Sequence, residues 1–115
     1  MLPAPHRLRR EKDIKRLFDK GKGVFDDVCG VKYAKNDLPI TRFAVVAGLK
    51  VSKKAVARNR VKRQVRAILE KQLSALAPGY DVAMLIRPAA LKATFQQIEE
   101  HVVKALEKAK ILHLP

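Results

Sequence analysis

Residues Arg58–Arg66, RNRVKRQVR, put five guanidinium or ammonium groups into nine positions with no carboxylate among them. Such groups bind phosphate. Arginine outnumbers lysine in the run, and its planar fork matches both phosphate oxygens and base edges. No acidic residue occurs between Asp37 and Glu70, although nine lysines and arginines do. A helix that uses charge only for solubility carries acidic partners three or four residues away. The run therefore reads as a surface kept free for a polyanion. Its cations crowd the first half of the helix assigned below, where unpaired amides and the helix dipole already favour an anion.

The residue types give little support for hydrolysis by the chain itself. A metal-dependent nuclease converges several carboxylates on one centre. Here Asp26 and Asp27 fall in an expected loop, Asp81 opens a strand, and Glu99 and Glu100 lie on the polar face of the last helix. His6, His101 and His113 are scattered, with no ligand spacing to each other or to Cys29, so neither histidine catalysis nor a bound metal is expected. The lone cysteine also excludes an internal disulfide. Of the six Phe and Tyr residues, Phe18 and Tyr33 can line a groove for an unpaired strand, with core packing beside Ile14 and Leu17 the competing role for Phe18. None of the six forms a ribonucleoprotein-type stacking motif.

The elements that must carry these residues follow from composition and periodicity. A chain of 115 residues, 48% hydrophobic and 31% charged, fits one folded domain over residues 1–115, with 1–7 read as a flexible N-terminus. Its net charge of +14 and pI near 10.4 make nucleic acid the first candidate partner and an anionic membrane the second. No stretch approaches a membrane span, and MLPAPHRLRREKD lacks the apolar run of a signal peptide, so a cytoplasmic location is expected. Nineteen of the 25 cations lie in residues 1–66, which assigns the basic surface to that part of the chain.

Ile14, Leu17 and Phe18 recur at helical spacing, with Gly21 as the stop. VCGVKYA (Val28–Ala34) and RFAVVAGLKV (Arg42–Val51) read as strands, the second bent or split at Gly48 into a strand and a continuation. Val61, Val65, Ile68, Leu69, Leu73 and Leu76 form the stripe of a long helix from about Ala55 to Leu76, closed by Ala77–Gly79. YDVAMLIRP (Tyr80–Pro88) is a mostly buried strand. The last helix starts near Thr94, where Thr-Phe-Gln-Gln has capping-box form, and Phe95, Ile98, Val102 and Leu106 make its core stripe. The order is α-β-β-(β)-α-β-α, an α+β two-layer sandwich. On the long helix, Asn59, Arg60, Lys62, Arg63 and Arg66 spread over the side away from the stripe. Arg58 falls on the stripe's own meridian, so it must lie in the first turn and point past the sheet.

VSKKAVARNRVKRQVRAIL (Val51–Leu69) closely resembles the signature of the bacterial ribonuclease P protein component, in which V-S-K-K leads into a helix beginning R-N-R-x-K-R-x-x-R. LRREKDIKRLFDKGK (Leu8–Lys22) is similar to that family's first helix and YDVAMLIRP to its last strand. The resemblance implies a ribosomal-protein-like fold whose mixed sheet contains a left-handed βαβ crossover, against the general right-handed rule. It implies a subunit of an endonuclease whose RNA, with magnesium, removes the 5′ leader of precursor tRNA. Arg58, Asn59, Arg60, Lys62, Arg63 and Arg66 would then face the catalytic RNA. Ile14, Phe18, Tyr33, Ser52, Lys53 and Lys54 would line a cleft for the single-stranded leader. Two departures stand out: Ile14 replaces a common aromatic, and only Ala55–Ala57 separate SKK from RNR, fewer residues than the family's usual glycine-containing spacer. The rivals are a ribosomal-type structural RNA binder without a catalytic role and a DNA-binding protein. The second lacks a paired helix immediately before the basic one, and no DNA or membrane partner is expected.

Overall fold

The computed structural model describes residues 2–112, so His113 lies outside the described residues. Helix α1 (Glu11–Lys20) is followed by strands β1 (Lys22–Phe25), β2 (Cys29–Lys35) and β3 (Arg42–Val46). Helix α2 (Ala55–Lys71), strand β4 (Tyr80–Ile86) and helix α3 (Phe95–Lys108) complete the order. The strands form one mixed sheet, β1-β2-β4-β3, antiparallel except for the parallel β3–β4 pair. Helix α2 makes the crossover between those two neighbours. Thr94 accepts from the Gln97 amide while the Gln97 side chain accepts from the Thr94 amide, so the capping box starts α3 where the sequence places it.

The third strand is β1, ahead of VCGVKYA, and residues 47–51 do not continue β3. They turn instead: the Val51 amide donates to the Gly48 carbonyl at 3.0 Å, and Val51 folds back into the core. Helix α2 ends at Lys71, and Leu73–Ala75 form a single 3-10 turn. Phe95, assigned to the core stripe of α3, is the first residue of that helix and is 40% exposed.

Strand alternation sorts the apolar residues onto two faces. Val31, Phe43, Val82, Met84 and Ile86 pack against Val61, Val65, Ile68 and Leu69 of α2 and Ile98, Val102 and Leu106 of α3. Sheet, α2 and α3 thus form the two layers of the sandwich. Ala83 and Leu85 point the other way, where Ala34, Ala44, Ile14 and Leu17 gather with Leu8. Alanine at three of these sheet positions leaves room for α1 to lie close against the strands.

One ion pair fixes α1 and the parallel strands together. Arg42 and Asp81 are direct cross-strand partners, and the guanidinium donates to both Asp81 oxygens at 2.8 Å. This bidentate contact holds the Arg42 pKa above its ordinary value. Asp13 of α1 lies 3.6 Å from the same guanidinium, and Asn36 donates to Asp81 at 3.0 Å. At the other end of the sheet, Asp26 closes the β1–β2 turn by accepting from the amides of Val28 and Cys29. Burial raises the Asp26 carboxyl, but these amides and His101 outweigh it and hold the group below its ordinary value. The N-terminal segment read as flexible makes defined contacts over residues 2–8: Leu2 is buried, His6 meets the Thr41 carbonyl at 2.8 Å, and the Leu8 amide donates to Phe43 at 2.7 Å. These contacts cover the outer edge of β3.

Asp81→Ala leaves the Arg42 guanidinium half-buried without its bidentate partner. It is expected to lower unfolding stability by about 2–3 kcal/mol, measured by urea denaturation. A loss under about 0.5 kcal/mol, the scale of an exposed pair, would show that the contact does not hold the strands.

Candidate nucleic-acid interface

Helix α2 begins at Ala55, directly after Lys54, so the short Ala55–Ala57 spacer is the helix's own first turn. The Ser52 hydroxyl accepts from the Lys54 amide at 3.1 Å and shapes the turn into the helix. Arg58, one turn further on, donates from Nη1 to the Ser52 carbonyl at 2.7 Å and is half-buried. Its position on the apolar meridian aims it past the core at this loop, so part of its donor capacity clamps the loop to the helix.

Asn59, Arg60 and Arg63 are exposed, and Lys62 and Arg66 are half-buried along the flanks of the same helix. Val61, Val65, Ile68 and Leu69 beneath them are essentially inaccessible, so the cations stand on a rigid base. Among the described residues, no acidic side chain pairs with any of these five cationic groups from Arg58 to Arg66. The one additional contact is weak, Arg60 to the Leu91 carbonyl at 3.4 Å. A rigid helix face of uncompensated positive charge suits a phosphate backbone.

A second surface lies on the α1 side of the sheet. A groove of about 390 Å³ runs between the N-terminal segment, α1 and β3, lined by Leu8, Arg9, Ile14, Ala44, Val46 and Arg66 among others. Arg66 therefore reaches round the β3 edge and joins the α2 cations to this groove. Phe18 lies one turn beyond Ile14 and is 37% exposed. From Val46 the register continues one row on the same α1 side of the sheet: Val46 pairs with Leu85, Leu85 with Gly30, and Gly30 with Phe25.

Of the residues assigned to this cleft, Ile14 and Phe18 come together and Tyr33 does not. Tyr33 packs into the main core beside α3, its ring 6.5 Å from that of Tyr80 in an edge arrangement, near Lys108 and Lys110. Val31 faces the core, so Tyr33 must do likewise, and the intervening Lys32 takes the α1 side. Lys32 is the α1-side residue that the sequence reading missed: its Nζ donates to the Phe18 carbonyl at 3.2 Å. Alternation from Val31 was the signal that could have found it. Ser52, Lys53 and Lys54 lie in the loop between β3 and α2, with both lysines exposed at the α2 end of the molecule.

Among the described residues, the fold gathers one set of possible metal ligands that sequence spacing hid. Ligand atoms of Asp26, Asp27 and His101 lie within 4.8 Å of one another. Both Asp26 oxygens are already engaged, Oδ1 by the turn amides and Oδ2 by His101 at 2.9 Å, so the cluster serves as a turn clamp. Burial pushes the Cys29 thiol up to about 12, which leaves it neutral and poorly suited as a nucleophile or metal ligand.

Comparison with known proteins agrees with this geometry. A family model described as Ribonuclease P matches residues 2–110. The ribonuclease P protein component of a Cyanothece species is 36% identical, with 98% of each chain covered. That of a Pseudanabaena species is 37% identical over the same shares. Among solved structures, the Staphylococcus aureus RNase P protein superposes with a TM-score of 0.86 at 25% identity, covering 94% of this chain and 98% of its own. The Thermotoga maritima RNase P protein gives 0.81 at 26% identity, covering 89% and 96%.

Because Arg60 and Arg63 are exposed and pair with no acid, replacing both with alanine is expected to change unfolding stability by less than about 0.5 kcal/mol. Affinity for structured RNA should fall, and the slope of log K against log salt should become shallower by about 0.7 to 0.9 for each phosphate no longer neutralised. Filter binding across a salt series, alongside a thermal melt, checks both. A collapsed melt would mark the pair as structural.

Proposed function

This chain belongs to the ribonuclease P protein family, and from that premise we propose how its two surfaces divide the work. The chain is the protein subunit of ribonuclease P, the ribonucleoprotein endoribonuclease of tRNA 5′ maturation, and its partner is the RNA of that enzyme. Under the proposal, Asn59, Arg60, Lys62, Arg63 and Arg66 face the catalytic RNA, with Arg58 holding the loop that presents Ser52, Lys53 and Lys54. The groove along α1 takes the single-stranded 5′ leader of precursor tRNA, with Ile14, Phe18 and Lys32 at its wall and Val46 and Leu85 on its floor. Tyr33 has no part in it.

The observation that carries this reading is the pairing of a rigid unpaired cation face with an apolar groove, joined at Arg66. Phosphate contacts on the helix position a large RNA, whereas the groove, with an exposed ring and a lysine, suits unpaired nucleotides. The protein supplies no hydrolytic group under this reading. Magnesium acts in the RNA-catalysed step, and the protein alone holds no cofactor. The whole chain works as one domain in the cytoplasm. Among the described residues no helix is long and apolar enough to cross a membrane. A ribosomal-type structural role is not favoured, since the family resemblance covers nearly the whole chain.

The direct test adds the protein to ribonuclease P RNA at low magnesium and follows cleavage of precursor tRNA. Stimulation is expected, and no change in rate would contradict the proposal. In the assembled enzyme, Phe18→Ala should weaken precursor tRNA by about 5- to 50-fold, the scale of a single base stack, and leave mature tRNA unaffected. Equal effects on both would remove Phe18 from the leader groove.

A further inference from the structure

The floor of the groove continues to β1, a strand outside every motif discussed above, and ends there on Phe25. This residue is 51% exposed. Val24 beside it packs toward the main core, so Gly23 and Phe25 face the α1 side, level with Lys32 and Gly30 of β2. The ring is not a loose surface group. A Cβ placed on Gly23 would meet the ring at 2.4 Å, and one on Gly30 would meet it at 2.3 Å. No real side chain tolerates such distances, so the ring rests on the bare backbone of two strands in the space that two side chains would fill.

Backbone conformation does not require either glycine. Among the described residues, Gly79 is the glycine with positive φ, and Gly23 and Gly30 have conformations open to any residue. Their common effect is to seat the Phe25 ring. One of its faces is held by the strands and the other is open to solvent, which pre-organises it without further loss of rotamer freedom. The row Phe25, Gly30, Leu85, Val46 then runs straight across the sheet, with Lys32 alongside to meet a phosphate.

We propose that Phe25 is a stacking platform for an unpaired base of the 5′ leader, at the end of the groove remote from α2. This rests on the reading that the groove takes the leader. The occupant follows from the surface: a flat open ring beside a lysine, on a chain of net charge +14, fits single-stranded RNA. Because β1 is the sheet edge opposite β3 and Arg66, a leader entering from the α2 side reaches Phe25 last. The platform therefore engages long leaders and misses short ones.

A competing role is purely structural, since an aromatic ring can shield glycine backbone across strands. Phe25→Leu separates the two, because leucine keeps an apolar cover on the glycines and loses the stacking face. The holoenzyme, assembled with ribonuclease P RNA, is titrated with precursor tRNA carrying a long unpaired leader, with precursor cut back to a single leader nucleotide, and with mature tRNA. Phe25→Leu should weaken the long-leader substrate by about 5- to 20-fold and leave the other two unchanged, with Phe25→Trp retaining wild-type affinity. Equal weakening of all three substrates, or failure of Phe25→Trp to retain binding, would overturn the proposal in favour of the structural role. So would unchanged binding in Phe25→Leu while Phe18→Ala still discriminates precursor from mature tRNA. If neither residue discriminates them, the leader groove itself is wrong, and Phe25 falls with it.

Discussion

The bidentate pair between Arg42 and Asp81 fixes the geometry on which both proposed RNA-facing surfaces depend. Its two residues face each other in the parallel β3–β4 ladder, so the pair sets that register as well as joining the strands. A slip of β3 by one residue would turn Val46 to the opposite face and remove its part of the groove floor. Register also determines where β3 ends and thus where the loop to α2 begins. Through Asp13, the same guanidinium brings α1 into line, and α1 forms the groove's wall. Three elements far apart in sequence are thereby held at fixed offsets by one half-buried charge cluster.

The sheet's two faces then serve different ends. The α2 and α3 side is closed by large aliphatic side chains that are almost fully buried, which gives the basic helix a rigid foundation. The other side carries alanines beneath α1, with Val46 and Leu85 of the next row half-buried and Phe25 at its end exposed. Charge follows the same division. Acids pair where the fold needs them, at Asp81, Asp26 and Glu99, while the cations of the first half of α2 have no acidic partner among the described residues. Such a helix repels itself in isolation, and a polyanion relieves that repulsion. Arg66 belongs to both regions, since it rises from α2 and lines the groove beside Ile14 and Val46.

Much of this was legible in the sequence, for identifiable reasons. The α2 stripe, the capping box at Thr94 and the buried run of β4 are strong local signals that tertiary context had no reason to override. Strand β1 was not legible, because KGVF is four residues long with a glycine inside and gains its place only by pairing with β2. The stretch after Gly48 reads as β-forming, yet Val51 is apolar because it plugs the core at a turn. Tyr33 shows a different failure: a resemblance identifies residues but not the side of the pleat on which each falls. Parity with the buried Val31 assigns Tyr33 to the core and Lys32 to the groove. Phe25 lacked any motif, and its significance depends on two glycines that only the sheet brings beneath one ring.

Under the proposed function, unpaired RNA lies across the α1 side of the sheet and not along the tyrosine face. Nuclear magnetic resonance of the labelled protein, titrated with a short unpaired oligoribonucleotide, tests it most directly. Shift changes are expected to concentrate at Ile14, Phe18, Phe25, Lys32, Val46 and Leu85, with Tyr33, Tyr80 and Lys108 unmoved. Changes centred on Tyr33, Tyr80 and Lys108 would contradict it.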